Sequence, residues 1–176
     1  MSSIDFIKTE LAAATARGVR QCVVLGSRSA LPEAFKSSPD QTLQVFAPAQ
    51  FASEALAAAL EKSDFDKLKA SLFVWIGGAG FRTVDAVIAG LAFIASLPRG
   101  SAVVFDYAVE RTSFESLAHT ALDALASRIS LPGGVKYLIQ PRALAALLRG
   151  LGFNQIVDFA QEELPLTGIR LVSAVV

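Results

Sequence analysis

The apolar run Val23-Val24-Leu25 ends in Gly26 and turns polar at Ser27 and Arg28. A strand that ends in glycine before a polar loop is where α/β proteins hold nucleotide-like cofactors. Backbone N–H groups can approach an anionic ligand closely there, and the next helix adds its N-terminal dipole. A second such place is Gly77-Gly78-Ala79-Gly80, just after the run Leu72-Phe73-Val74-Trp75-Ile76. Gly77 and Gly78 either form a tight turn or line a ligand pocket. No lysine follows them in the phosphate-loop pattern, so triphosphate chemistry is not implied. Arg28 also has two readings. It is an exposed loop arginine, or it binds an anion at the start of the following helix.

Other chemistry-bearing residues are sparse. His119 is the single histidine and has no histidine or cysteine beside it. That argues against a metal site or a nucleophilic triad. Cys22, the single cysteine, lies in an apolar strand. It reads as an inert core thiol, excludes an intrachain disulfide and fits a reducing compartment. Asp106 and Tyr107 end another strand on the side where active sites form, and the aspartate reads as structural. Trp75 reads as core. The charges between residues 61 and 69 read as a solvated loop. The sequence offers no residue to name as catalytic and no metal ligand set.

The chain has 176 residues, which points to one domain over residues 1–176. Apolar residues make up 53% and charged residues 18%, an apolar excess over ordinary soluble domains. The net charge of zero gives no electrostatic case for nucleic acid or an anionic membrane. Asp5, Lys8 and Glu10 interrupt any N-terminal apolar run. The longest apolar stretch contains Asp85 and is shorter than the roughly 20 residues of a bilayer span. The expectation is a soluble, cytoplasmic protein.

Several elements must position these residues. Helical spacing runs over residues 3–16, with Phe6, Ile7, Leu11 and Ala14 on one side and Gly18 as the stop. Strands are predicted at 21–25, 42–46, 71–76 and 102–107. Helices are predicted at 49–61 after Pro48, at 83–97 with Thr83 as cap and Leu97 as end, at about 112–129, and at 141–151 before Gly152. Residues 31–36 read as one or two helical turns. The last two strands, 154–159 and 169–175, are separated only by a short Pro/Gly connection, so they are expected to pair antiparallel. Alternating strands and helices, with strands apolar throughout, predict a mostly parallel sheet covered on both faces.

The element order resembles a class I S-adenosylmethionine-dependent methyltransferase. Particular stretches are similar to the leucine carboxyl methyltransferase family, whose bacterial members methylate carboxylates and hydroxyls of small molecules and polyketides. Ala16-Arg17-Gly18-Val19-Arg20-Gln21-Cys22-Val23-Val24-Leu25-Gly26 resembles that family's A-x-G-x-R-Q-V-V-x-L-G-A-G. Ser71-Leu72-Phe73-Val74-Trp75-Ile76-Gly77 resembles T-L-F-I-A-E-G, and Gly100-Ser101-Ala102-Val103-Val104-Phe105-Asp106-Tyr107 resembles G-S-R-L-V-F-D-Y. The segment from Pro141 through Gly152-Phe153, followed by Glu162-Glu163-Leu164, resembles D-P-x-x-L-A-A-L-L-x-x-x-G-F and then P-E-E-L. The resemblance implies a three-layer α/β/α sandwich with an antiparallel C-terminal strand pair, lacking that family's N-terminal helical cap. It also implies S-adenosylmethionine as the cofactor, at Gly26, Ser27, Arg28, Ala47, Ile76, Gly77 and Gly78.

The departures from the pattern fall on cofactor contacts. The family's G-A-G-L-D-T-R loop aligns with Gly26-Ser27-Arg28-Ser29-Ala30-Leu31-Pro32, so only the first glycine is kept. Its second glycine leaves room for the cofactor, and Arg28 puts a long cation there. The E-x-D at the end of its second strand aligns with Val45 and Ala47, and the glutamate of A-E-G aligns with Ile76. A hydrogen bond to a charged group contributes about 1.5–3 kcal/mol, so losing the ribose carboxylate alone weakens binding about tenfold to a hundredfold. A strand expected near residues 63–69 is short or absent. These losses predict an inherited fold with an eroded cofactor site, hence a non-catalytic binding or oligomerisation module. The alternative is an active small-molecule O-methyltransferase with an unconventional loop.

The helix over residues 83–97 bears on partners. It reads Thr-Val-Asp-Ala-Val-Ile-Ala-Gly-Leu-Ala-Phe-Ile-Ala-Ser-Leu, with Asp85 and Ser96 among small apolar residues on its outer side. A helix that lacks a polar face is normally covered all round. A homo-oligomer or a heteromeric protein partner is therefore expected through this helix, with Ala86, Ala89, Gly90 and Ala92 permitting close approach. Coverage by a neighbouring helix of the same chain is the other reading.

Overall fold

The computed structural model describes residues 3–26, 44–46, 56–76, 84–109, 139–160 and 169–176. The helices are α1 (Ser3–Ala16), α2 (Leu56–Glu61), α3 (Val84–Ala95) and α4 (Pro141–Leu151). The strands are β1 (Gln21–Gly26), β2 (Gln44–Phe46), β3 (Ser71–Ile76), β4 (Ala102–Ala108), β5 (Gln155–Ala160) and β6 (Ile169–Val175). The helices predicted at 31–36 and 112–129, the cap Thr83 and His119 lie outside the described residues.

The six strands form one sheet in the order β2-β1-β3-β4-β6-β5. β2, β1, β3 and β4 run parallel, in register from Gln21 opposite Gln44 and Ser71 to Trp75 opposite Phe105. β6 is antiparallel to both β4 and β5. The expected C-terminal antiparallel pair is therefore present, with the reversed strand set inside the edge strand.

Side-chain alternation along β1, β3, β4 and β6 divides the core in two. Val23, Leu25, Phe73, Trp75, Val103, Phe105 and Val172 face α2, α3 and α4. Cys22, Val24, Leu72, Val74, Ala102, Val104 and Leu171 face α1, which contributes Phe6, Ile7 and Ala14. The result is the expected α/β sandwich of three layers. Strands buried on both faces have no polar alternation, which is why they read as unbroken apolar runs.

Two helix ends explain themselves locally. After α4, Gly152 adopts φ 110°. Its N–H donates to the Arg149 carbonyl, and the Phe153 N–H donates to the Leu148 carbonyl, both at 3.1 Å. This is a Schellman stop, and its usual apolar contact joins buried Phe153 to buried Leu148. α1 ends the same way. Gly18 has φ 89°, and the Val19 N–H donates to the Ala14 carbonyl.

Residues 62–70 form turns rather than a strand, so β2 is the sheet edge among the described residues. Gln21 holds that segment. Its Nε2 donates to the Asp66 carbonyl (2.9 Å) and to Ser71 Oγ (3.1 Å), while its Oε1 accepts from the Asp66 N–H (2.9 Å). On the α1 side, buried Ser173 donates to a Glu10 carboxylate oxygen at 2.6 Å and ties the helix to β6.

Candidate functional site

The chain leaves β1 to make β2 on one side and returns to make β3 on the other. A crevice opens at the carboxyl ends of strands where the order reverses in this way, and ligands of open α/β sheets bind there. Here that point lies between β1 and β3. Gly26 and Ile76 are the last residues of these strands and stand directly opposite each other. Two of the seven cofactor positions expected from sequence are thus brought together. Ser27, Arg28, Ala47, Gly77 and Gly78 lie outside the described residues. Ala47 follows Phe46, the last residue of β2, which pairs with Val23.

The chemistry of this pair is one-sided. Gly26 has no side chain to obstruct an approaching ligand. Ile76 is half-buried and packs against the cluster under α1. Its side chain offers an apolar wall and no hydrogen-bonding atom. Val45, the other described position where the family pattern has a carboxylate, lies within β2 opposite Cys22.

A polar network stands further along the same edge, above the α3 and α4 face. The buried Tyr107 of β4 donates its hydroxyl to Asp158 Oδ2 at 2.8 Å. Arg170 of β6 donates Nε to Asp158 Oδ1 at 2.9 Å. Tyr107 and Arg170 are cross-strand partners, and Asp158 on β5 pairs with Val172. One carboxylate therefore bridges three strands. Burial, and then the hydrogen bond to Asp158 and that carboxylate's charge, push the Tyr107 phenol well above its ordinary range. Burial works against the Arg170 charge, but its bond to Asp158 outweighs this and keeps the guanidinium firmly protonated. Tyr107 thus holds its proton and serves as a donor, not a base.

Sequence reading placed Asp106 and Tyr107 at the ligand side and did not find Asp158 or Arg170. Only the hairpin register brings those two to Tyr107, and the Pro/Gly connection does not fix that register. Cys22 and Trp75 are core, as read from sequence, and burial raises the thiol to about 12. Among the described residues, no group of three histidine, cysteine, aspartate or glutamate side chains could hold a metal. No helix among them is long and apolar enough to cross a membrane.

Among solved structures, the chain is similar to an S-adenosylmethionine-dependent methyltransferase from Archaeoglobus fulgidus. The TM-score is 0.55 at 14% identity, covering 99% of this chain and 95% of that one. It is similar to the magnesium protoporphyrin IX methyltransferase from Synechocystis with bound S-adenosylhomocysteine. That TM-score is 0.52 at 10% identity, covering 97% of this chain and 82% of that one. A putative O-methyltransferase from Nostoc punctiforme gives a TM-score of 0.55 at 13% identity, covering 96% of this chain and 56% of that one. No family model matches the sequence. No curated protein matches it either. At these identities the likeness is one of fold, and the fold is that of class I methyltransferases.

Proposed function

We propose that this chain is a methyltransferase-fold protein of the leucine carboxyl methyltransferase type whose cofactor site is eroded, and that it works as a binding and oligomerisation module. The observation that carries this reading is Ile76 beside Gly26 at the switch point. S-adenosylmethionine presents ribose hydroxyls, an ammonium and a carboxylate, and all need polar partners when taken from water. The Ile76 side chain supplies none, and the residue at position 45 in β2 is a valine.

A second reading has its own support. Gly26 still ends β1 directly against β3, so the backbone at the crevice remains open to a ligand. In that reading the chain is a small-molecule O-methyltransferase. Gly26 and Ile76 would flank S-adenosylmethionine, which supplies an activated methyl group. The chain's own part is then to hold the cofactor against an apolar wall and exclude water.

Calorimetric titration with S-adenosylmethionine and S-adenosylhomocysteine separates the two. The module reading expects no heat and no thermal shift at millimolar ligand. A dissociation constant in the micromolar range would overturn it and favour the enzyme.

A further inference from the structure

We propose that the turn Lys67-Leu68-Lys69, just before β3, is a docking point for an acidic protein partner, with Leu68 as its apolar anchor and the cations around it as its rim. Leu68 keeps 81% of its surface exposed. An exposed leucine by itself carries no meaning. This one is displayed by a turn that is fixed from several sides.

Gln21 holds both the N–H and the carbonyl of Asp66, at 2.9 Å each. Asp66 Oδ1 accepts the Leu68 N–H at 2.9 Å, and Oδ2 pairs with Lys69 Nζ at 3.2 Å. The Lys69 N–H donates to the Asp66 carbonyl at 3.1 Å, and Ser71 Oγ donates to the Lys69 carbonyl at 3.0 Å. Phe65 packs edge-on against Phe73 of the core. A side chain carried on a backbone already ordered loses less freedom on binding, which separates an anchor from a solvated loop tip.

Charge defines the partner. The grip of Gln21 sets the turn beside Arg20. The Ser71 N–H donates to Ser101 Oγ at 3.2 Å, and Ala70 lies against Gly100, which sets the turn beside Arg99 as well. Arg20, Lys67, Lys69 and Arg99 are all exposed. Part of this charge serves the fold, since Arg20 donates to the Thr15 and Val19 carbonyls behind α1 and Lys69 faces Asp66. Four cations still stand against the two carboxylates Asp64 and Asp66, while Glu61 and Lys62 cancel, so the rim is positive by two charges. A diffuse anionic surface would meet Asp64 too, and one leucine is a weak membrane anchor. The tip also lacks an aromatic ring on which a nucleic-acid base could stack. Interspersed signs suit a folded partner, whose carboxylates can meet the lysines and avoid Asp64 around an apolar pocket for Leu68. The turn precedes β3, whereas Gly26 and Ile76 end their strands, so docking here is independent of the switch-point crevice. The inference rests on the module reading for its biological role.

The probe is a synthetic amphipathic helical peptide with leucine along one face and glutamate elsewhere, added to the full 15N-labelled chain without cofactor. It should move the amide resonances of Lys67, Leu68 and Lys69, and the same peptide with lysine in place of glutamate should not. Leu68→Ser should weaken binding at least about tenfold, the worth of one buried leucine. Lys67→Glu should weaken it too, by a factor that shrinks at high salt. Both positions are exposed, so an unchanged circular dichroism spectrum accompanies either result. Absent binding, equal binding of the lysine peptide, or Leu68→Ser binding at full strength would overturn the proposal. Tighter binding to vesicles of phosphatidylcholine and phosphatidylglycerol than to the peptide would overturn it in favour of a membrane contact. Titration with S-adenosylhomocysteine is read separately, so the module reading can fail while docking at this turn stands, and the reverse.

Discussion

Cys22 lies in β1 with 0% of its surface exposed, and burial raises its thiol from an ordinary 9.0 to about 12. The consequence for stability has a definite sign. The unfolded chain releases this proton near pH 9, while the folded chain keeps it to about pH 12. Stability from this group is complete below pH 9 and is lost as pH rises through that window. The loss is at most about 1.4 kcal/mol per pH unit. Urea unfolding at several alkaline pH values should give a steeper loss for wild type than for Cys22→Ala. Parallel slopes would mean that the thiol is not held in the core. The burial of Cys22 was legible because the residue opens the apolar run Cys22-Val23-Val24-Leu25. Gly26 and Ile76 were legible for a similar reason, since strand ends and glycine punctuation are local signals. The partnership of Tyr107 with Asp158 and Arg170 was not, because it links residues 51 and 12 positions apart through a register that no local pattern encodes.

At the scale of elements, α3 shows how pattern and packing divide the work. Val87, Gly90, Leu91 and Ile94 are buried at helical spacing, with Leu97 buried just beyond the helix end, so the inner face follows directly from sequence. The role of Gly90 does not. It was expected on the outer, partner-facing side with Ala86, Ala89 and Ala92, but it faces the sheet. A Cβ placed on it would stand 3.3 Å from Trp75 Cζ3. Trp75 is itself buried, with Leu25 and Phe105 as its cross-strand partners, and has little room to yield. Two effects therefore oppose each other in Gly90→Ala. Helix propensity favours alanine by about 1 kcal/mol. Overpacking against a fixed indole costs about 1–3 kcal/mol. Net destabilisation of about 1 kcal/mol is expected in urea unfolding, together with altered tryptophan fluorescence of the native state. A variant as stable as wild type would show that α3 does not ride this closely on β3. Periodicity could place the helix but not its height above the sheet, because height depends on which large side chain of another element meets the small one.

For the molecule as a whole, the question is what the outer side of α3 meets. Asp85, Ala89 and Ser96 are exposed there, and Ala86 and Ala92 are half-buried. This surface carries no long cation and little to keep it hydrated, which is unusual for the outer layer of an α/β sandwich. Small side chains let two helices approach to the short end of the usual 8–10 Å range. A helix of 12 residues is only about 18 Å long, so α3 alone cannot supply the roughly 800 Å² per partner of a stable interface. It would have to form the centre of a larger patch shared with the elements beside it. A second copy of this chain is the proposed occupant, because a two-fold axis through α3 sets the same small-residue stripe against itself. Sedimentation velocity of wild-type protein should therefore give a dimer. Ala89→Arg should give a monomer with unchanged circular dichroism, since Ala89 is exposed and belongs to neither core cluster among the described residues. A monomeric wild type at micromolar concentration would sink the homodimer and leave this surface to a heteromeric partner or to coverage within the chain.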